Sequence, residues 1–257
     1  MATRRRKKRN TLLIDADILL HKAAVKCEEE ICWDEEAEIW SLHADLKEAK
    51  ETLRSAIEGL EEQLGSVRTI LCLSSKRTFR HAIYPAYKAN RKKGRKPVVF
   101  GPLRAWAQTQ WESYEWPGLE ADDVLGVLAT SHSVPAPKIL VSDDKDLETI
   151  ACALYKPMKP ELGVQRITHP YARMRHLEMT LTGDSTDGIP GLPGCGPKGA
   201  AAVLQKGTWS EVVDAYQNRG LNETEALLQA RLVKILNTRL FDQKTQEITL
   251  WDPKKHK

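Results

Sequence analysis

Thr11-Leu12-Leu13-Ile14-Asp15-Ala16-Asp17 is a continuous apolar run that ends in two carboxylates. Without polar alternation it reads as a strand buried on both faces, which is a strand of a parallel sheet. If the extended form continues past Asp15, the period of two puts Asp15 and Asp17 on one side, where both face one ion. The order recurs in Lys138-Ile139-Leu140-Val141-Ser142, with Asp143, Asp144 and Asp146 just past its end and Leu147 and Ile150 opening a helical pattern. Val67-Arg68-Thr69-Ile70-Leu71-Cys72-Leu73 is a further strand, closed by Ser74-Ser75. Repeated strand, acids and helix predict an α/β fold with a mainly parallel central sheet flanked by helices. In such sheets ligands bind outside the carboxyl ends of the strands, where these acids fall.

From Glu28 to Leu64, Ile39, Leu42, Leu46, Ala49, Leu53, Ile57, Leu60 and Leu64 recur at three- and four-residue steps among Glu and Lys. This spacing predicts one long amphipathic helix, or two, laid on the sheet with its charges in solvent. Further helices are expected over 103–111, 174–181, 200–204 and 227–236, and Glu247 to Trp251 as a strand or an extended tail that packs back.

The acids carry the chemistry. Gly118-Leu119-Glu120-Ala121-Asp122-Asp123 runs into the apolar series Val124, Leu125, Val127, Leu128 and reads as the first turn of a helix. A helix N-terminus stabilises an anion by a few tenths to about 1 kcal/mol, little against three crowded carboxylates that repel one another unless a cation lies between them. Alone, the stretch is an ordinary set of capping acids. Together with Asp15, Asp17, Asp144 and Asp146, and with Asp184 and Asp187 in a glycine-rich turn, it predicts a polyvalent metal site.

The 257 residues suffice for one large domain with a smaller appendage, and 41% hydrophobic content fills a core. The formal net charge of +4 says little on average. Its distribution says more: Arg4-Arg5-Arg6-Lys7-Lys8-Arg9 is a basic block, and no Asp or Glu occurs between Ser74 and Trp111. Lys76, Arg77, Arg80, Lys88, Arg91, Lys92, Lys93, Arg95 and Lys96 alternate there with Phe79, Tyr84 and Tyr87, a mixture that holds phosphates while stacking on bases. The five cysteines are scattered without CxxC pairing, which fits a reducing compartment and neither a disulfide framework nor a zinc site. The basic N-terminus makes a poor signal peptide, because Asp15 and Asp17 break the apolar run behind it. No stretch approaches the roughly 20 apolar residues of a membrane span, so a cytoplasmic protein is expected. Gly188-Ile189-Pro190-Gly191-Leu192-Pro193-Gly194-Cys195-Gly196-Pro197-Lys198 precedes an Ala-rich helix; its glycines admit a phosphate close to the backbone, and Pro197 suits a first helical position.

In order and combination, these motifs resemble the 5'-nuclease family: flap endonucleases, the 5'-exonuclease domains of bacterial DNA polymerases, and phage 5'-3' exonucleases, above all the T7-like ones. The resemblance rests on Leu13-Ile14-Asp15-Ala16-Asp17, Phe79-Arg80 with Tyr84-Pro85-Ala86-Tyr87-Lys88-Ala89-Asn90-Arg91, Leu119-Glu120-Ala121-Asp122-Asp123, Ser142-Asp143-Asp144-Lys145-Asp146 and Gly183-Asp184-Ser185-Thr186-Asp187-Gly188-Ile189-Pro190-Gly191. It implies two Mg²⁺ ions, replaceable by Mn²⁺, one near Asp15, Glu120, Asp122 and Asp123 and one near Asp144, Asp146, Asp184 and Asp187, some acting through water. It also implies catalytic Lys88 and Arg91 on a basic helical arch near 76–110, and DNA contacts from Arg80, Tyr87 (stacking on terminal nucleotides), Lys92 and Lys93. The resemblance further implies a helix-hairpin-helix element that grips duplex DNA through Gly191, Gly194, Gly196 and Lys198, with a K⁺ ion at its turn.

The implied layout is a basic disordered tail over 1–10, a nuclease core over 11–172, and a smaller all-helical helix-hairpin-helix region with C-terminal tail over 173–257. The implied activity is structure-selective 5'-3' exonuclease and flap cleavage of DNA, extending to RNA–DNA hybrids, in phage replication or recombination. The family pattern has an Asp after the second strand where this chain has Ser74-Ser75, and the sequence does not say which serine replaces it. The loss of charge implies a greater need for Mg²⁺, with Asp17 placed to compensate. The rivals are a catalytically impaired DNA-binding relative, which the remaining carboxylates oppose, and a PIN-like ribonuclease, which the glycine-rich turn and basic stretch oppose. A Rossmann nucleotide binder is weaker still, since no GxGxxG follows the first strand.

Overall fold

β1 (Asn10–Asp15) runs through the interior of a six-stranded sheet in the computed structural model, which describes residues 10–91 and 94–255. The chain continues through α1 (Ala16–Lys26), β2 (Glu28–Asp34), β3 (Ile39–Ala44), α2 (Leu46–Leu64), β4 (Ser66–Cys72), α3 (Phe79–Ile83), α4 (Phe100–Gln110) and β5 (Glu112–Tyr114). There follow α5 (Ala121–Thr130), β6 (Lys138–Val141), β7 (Ala153–Tyr155), β8 (Val164–Arg166), α6 (His169–Thr182), α7 (Pro197–Val203), α8 (Trp209–Gln217) and α9 (Glu223–Val233). The strand order is β5-β4-β1-β6-β7-β8, parallel throughout except for the antiparallel edge pair β7–β8. Leu12, Leu13 and Ile14 are fully buried, as a strand covered on both faces requires.

Helices cover both faces of the sheet. On one, α1, α2 and α4 bury Leu20, Leu53, Ile57 and Leu103 against Leu12, Ile14 and Leu71. On the other, α5 and the segment after α9 bury Val124, Leu128, Ile235 and Phe241 against Leu13, Ile70 and Leu140. A third cluster, Leu177, Leu181, Leu192, Val212, Tyr216 and Ala226, joins α6, α8 and α9 around the glycine-rich turn.

The expected helix over 28–64 is corrected at its first half: β2 and β3 form a separate antiparallel hairpin, and α2 begins only at Leu46. Asp45 sets that start, its side chain accepting from Lys47 N at 2.7 Å. Ile39 and Leu42 fall into helical register with α2 by spacing alone, while Trp40-Ser41-Leu42-His43-Ala44 alternates with the period of a strand. Asp15 also ends β1: it is the N-cap of α1, so Asp17 sits in the first helical turn instead of continuing the strand. The expected helical arch is short. Among the described residues between Tyr84 and Val99 there are turns and irregular backbone but no helix, because Pro85, Gly94 and Pro97 interrupt it. Lys92, Lys93 and the basic block at 4–9 lie outside the described residues. The short strands β7 and β8 and the helix α8 went unread in the sequence.

Candidate active site

Each acidic motif sits where a secondary-structure element begins or ends, and each delivers carboxylates to one cavity of ≈ 340 Å³. Asp15 ends β1, Asp17 opens α1, and Asp17 Oδ2 accepts from Ser74 N at 2.9 Å. Ser74 follows β4, and its Oγ accepts from Ala121 N at 2.8 Å, the first residue of α5. Glu120 caps α5 and Asp122 lies in its first turn. Asp144 and Asp146 straddle the turn after β6, with Asp146 N donating to Asp144 Oδ1 at 2.8 Å. Asp184 and Asp187 occupy the turn after α6, closed by reciprocal backbone bonds of 2.8 Å between Asp184 and Ile189. That turn holds by close packing: at Gly191 (φ +64°) a Cβ would meet Gly183 N at 2.4 Å.

Negative charge dominates the floor of the cavity. Burial, then the charges of Asp17 and Asp144, push the Asp15 carboxyl up to about 7, although Ser142 Oγ donates to its Oδ2 at 3.1 Å. Burial followed by Asp144 and Asp15 raises Asp122, and burial followed by Asp144 and Asp184 pushes Asp146 up to about 7. Asp122 Oδ1 and Asp146 Oδ1 are buried with no hydrogen-bond partner.

Cations fence the rim. Lys88 Nζ pairs with Glu120 and lies 3.5 Å from Asp187 Oδ2, Arg91 pairs with Asp187, and Lys145 Nζ is 2.8 Å from Asp184 Oδ2. Burial would raise the Asp184 carboxyl, but the bond and charge of Lys145 hold it below the ordinary carboxylate value. At Glu120 burial is likewise outweighed, there by Arg80 and Lys88. Lys88 has a left-handed backbone (φ +56°), pinned by its N–H to Asp187 O at 2.8 Å. A lysine with that backbone stores strain that the surrounding contacts must hold.

The donor set suits a hard divalent ion. It is all carboxylate oxygen, and two of its buried oxygens have no other partner. Among the described residues no three His, Cys, Asp or Glu side chains close on a single point. An ion that keeps several waters fits such an open arrangement better than one needing a complete protein cage.

Asp123 is the expected metal ligand that does not reach the cavity. It is 0% exposed, its two oxygens take both Arg80 Nη atoms at 2.6 and 2.9 Å, and Oδ1 also accepts from Leu236 N at 3.1 Å. This corrects the reading of Asp123 as a metal ligand and of Arg80 as a DNA contact. Arg80 is 2% exposed and further donates to Leu232 O and Lys234 O. Tyr87, expected to stack on nucleotides, is buried too, its hydroxyl 2.8 Å from both Glu120 Oε2 and Asp187 Oδ2. One phenolic proton serves only one of those carboxylates at a time. Gly191 spends its N–H on Gln229 Oε1 at 3.1 Å, so it shapes the turn and offers no donor to a phosphate. Gly194, Gly196 and Lys198 lie exposed on the lead into α7, outside the carboxylate cavity.

Ser74, not Ser75, lines the cavity; Ser75 Oγ turns to Arg77 O at 2.6 Å. Two participants carried no role in the sequence reading. Lys145 stood in full view between Asp144 and Asp146, and the motif spacing alone could have marked it. Ser142 ends an apolar run and carried no signal of its bond to Asp15.

Residues 10–169 match the model of the 5'-3' exonuclease N-terminal resolvase-like domain. The exodeoxyribonuclease of enterobacteria phage T3 is 28% identical, over 95% of this chain and 93% of its own length. The exonuclease of Escherichia phage T7 is 27% identical, over 94% and 93%. In fold, the chain resembles the phage T5 D15 flap endonuclease, solved as a pseudo-enzyme-product complex with DNA and metal ions, with a TM-score of 0.64 at 16% identity over 88% of this chain and 89% of that one. The T5 5'-exonuclease with bound zinc gives the same TM-score at 17% identity over the same shares. With its matched domain spanning the sheet and most of the carboxylate cavity, the chain belongs to the 5'-3' exonuclease family.

Proposed function

We propose that the carboxylate cavity is the catalytic centre of a 5'-3' exonuclease and flap endonuclease that hydrolyses DNA phosphodiesters with divalent metal. The observation that carries this reading is the pair of orphaned oxygens, Asp122 Oδ1 and Asp146 Oδ1, buried among carboxylates of the same sign. Asp15, Glu120 and Asp122 would hold one ion, and Asp144, Asp146, Asp184 and Asp187 a second, Mg²⁺ being the ion that suits all-oxygen donors and retained water. When bound, a pair of such ions activates water and stabilises the attacking and leaving oxygens of an in-line displacement.

The chain's own residues do the rest. Lys88 and Arg91 pair with Glu120 and Asp187 and are free to turn to a phosphate once those carboxylates are otherwise balanced. They then offset charge that grows on the phosphoryl oxygens. Tyr87 and Arg80 position Glu120 from below. Lys198, with the exposed backbone at Gly194 and Gly196, grips the duplex backbone, and a K⁺ ion at that turn would serve the same purpose. A core over 11–172 and a helix-hairpin-helix region over 173–257, phage-encoded and working in the host cytoplasm on DNA ends and RNA–DNA hybrids, complete the proposal.

The test is cleavage of a 5'-labelled flap and a blunt duplex over a Mg²⁺ titration, beside the Asp144→Ala, Asp146→Ala double variant. Metal-dependent cutting that the variant lacks is expected, with product lengths separating exonuclease from flap cleavage. DNA binding in EDTA with no cutting at any Mg²⁺ concentration would replace the enzyme by a binder. Preference for single-stranded RNA over the flap would favour a ribonuclease.

A further inference from the structure

A second cavity, of ≈ 560 Å³, opens between the start of α6, the loop after α7 and the segment after α9. Its chemistry is the reverse of the catalytic one. His169, Arg173, Lys206, Lys234 and Arg239 line it, and no aspartate or glutamate does. Arg173, Lys206 and Arg239 are exposed at its rim, and no carboxylate pairs with any of them or with Lys234 among the described residues. Lys234 is part-buried, and its Nζ donates to Thr149 O at 3.4 Å. Burial pushes its ammonium down to about 8, so at neutral pH it still carries a charge that no carboxylate among the described residues pairs with. Removing a cation from water without an anion is costly, and a ligand anion relieves that cost.

The other wall is aromatic. Trp209 and Trp251 meet edge to face with ring centroids 5.2 Å apart, and Trp209 is fixed by its indole N–H, which donates to Glu223 Oε1 at 3.0 Å. Rigid indoles beside uncompensated cations suit a ligand with an anionic end and a flat apolar body. The volume lies within the range of small-molecule sites, roughly 300–1,000 Å³.

We propose that this cavity binds a nucleotide, its phosphate at Lys234 and the Arg173 and Arg239 rim and its base against Trp209 and Trp251. The nucleotide is either a free mononucleotide or one unit of a DNA single strand, since both present the same phosphate and base. The site is separate from the carboxylate cavity but joined to it: the carbonyl of Lys234 accepts from Arg80 Nη2 at 2.9 Å, and Arg80 holds Glu120 and Asp123.

Calorimetric titration in EDTA with 2'-deoxyadenosine 5'-monophosphate, inorganic phosphate, deoxyadenosine and a short single-stranded oligonucleotide tests it. The full chain is used, with Lys234→Met, Arg239→Gln, Lys47→Gln as a charge control, and the Asp144→Ala, Asp146→Ala double variant. The monophosphate is expected to bind more tightly than phosphate or the nucleoside. Lys234→Met should weaken it at least tenfold and Arg239→Gln severalfold, while Lys47→Gln and the double variant leave it unchanged. Lys234-dependent binding of the oligonucleotide alone would assign the site to a DNA strand. Equal affinity for phosphate and the monophosphate, loss of binding in the double variant, or no dependence on Lys234 and Arg239 would overturn the proposal. Arg239 is exposed, so its variant decides even if Lys234→Met disturbs the fold.

Discussion

Arg80 and Asp123 form a bidentate ion pair shut off from water, with Nη1–Oδ2 at 2.6 Å and Nη2–Oδ1 at 2.9 Å, and the carbonyls of Leu232 and Lys234 take further Arg80 protons. The pair ties α3 to α5 and to the segment after α9. It therefore sets the entry of α5, on which Glu120 and Asp122 reach the cavity. Removing one partner leaves the other charge buried and alone, which costs about 3–5 kcal/mol. Asp123→Asn is expected to lower stability in urea by that order, in EDTA and in Mg²⁺ alike. Unchanged stability with lost cleavage would instead make Asp123 a metal ligand.

Crowding among the acids predicts the opposite sign at Asp146. Its carboxyl is pushed up to about 7 by burial and then by Asp144 and Asp184, and Oδ1 has no partner. Asp146→Asn removes one of the repelling charges and supplies an amide donor to neighbouring carboxylates. In EDTA the variant should melt about 2–4 °C higher, as a gain of about 1 kcal/mol implies for a chain of this size. Cleavage should be lost, and Mg²⁺, expected to raise the melting temperature of the parent chain, should raise that of the variant less. A lower melting point in EDTA would show that Asp146 is already balanced.

Strand-and-acid repeats were legible because a doubly covered parallel strand is apolar throughout and its carboxyl end is where the chain can place charge. That logic located β1, β4 and β6 and the carboxylates of the cavity. It could not separate Asp123 from Asp122, adjacent acids in one helical turn whose fates differ only because Arg80 arrives from 43 residues away. Nor could it see that Tyr87 points inward, since an aromatic among cations reads alike whether it faces DNA or Glu120. The β2–β3 hairpin was missed because Ile39 and Leu42 share the helical spacing of α2, and only the Asp45 cap marks the change.

His176 supplies an acid-sensitive element remote from the carboxylates. Its Nε2 donates to Ala230 O at 2.8 Å, its ring packs edge-on against Trp251, and burial, with Lys234 adding, holds its pKa down to about 3. Between the ordinary value of 6.5 and about 3 the unfolded chain takes up a proton that the folded one refuses. This contribution to stability is therefore complete above pH 6.5 and is lost as the pH falls toward 3. His176→Gln keeps a donor for Ala230 without titrating. Between pH 6 and 4 the parent chain should lose about 2 kcal/mol more than the variant in urea unfolding, and parallel losses would place the acid sensitivity elsewhere.

Ser74 stands where a carboxylate would add charge to the first ion's side of the cavity. Its N–H donates to Asp17 Oδ2 at 2.9 Å and its Oγ accepts from Ala121 N at 2.8 Å, so the serine joins α1 to the start of α5 while leaving the charge to Asp17. An aspartate there can still accept from Ala121 N, and it adds a hard oxygen beside Asp15 and Asp122. Ser74→Asp should lower the Mg²⁺ concentration for half-maximal cleavage severalfold and strengthen calorimetric Mn²⁺ binding to match. Asp17→Asn should shift both in the other direction, because Asp17 is the nearest charge left to compensate. In the absence of metal, Ser74→Asp should also lower the melting temperature, since one more carboxylate joins those already crowded. An unaltered metal requirement in Ser74→Asp would mean that Asp17 and retained water already complete the first ion's surroundings.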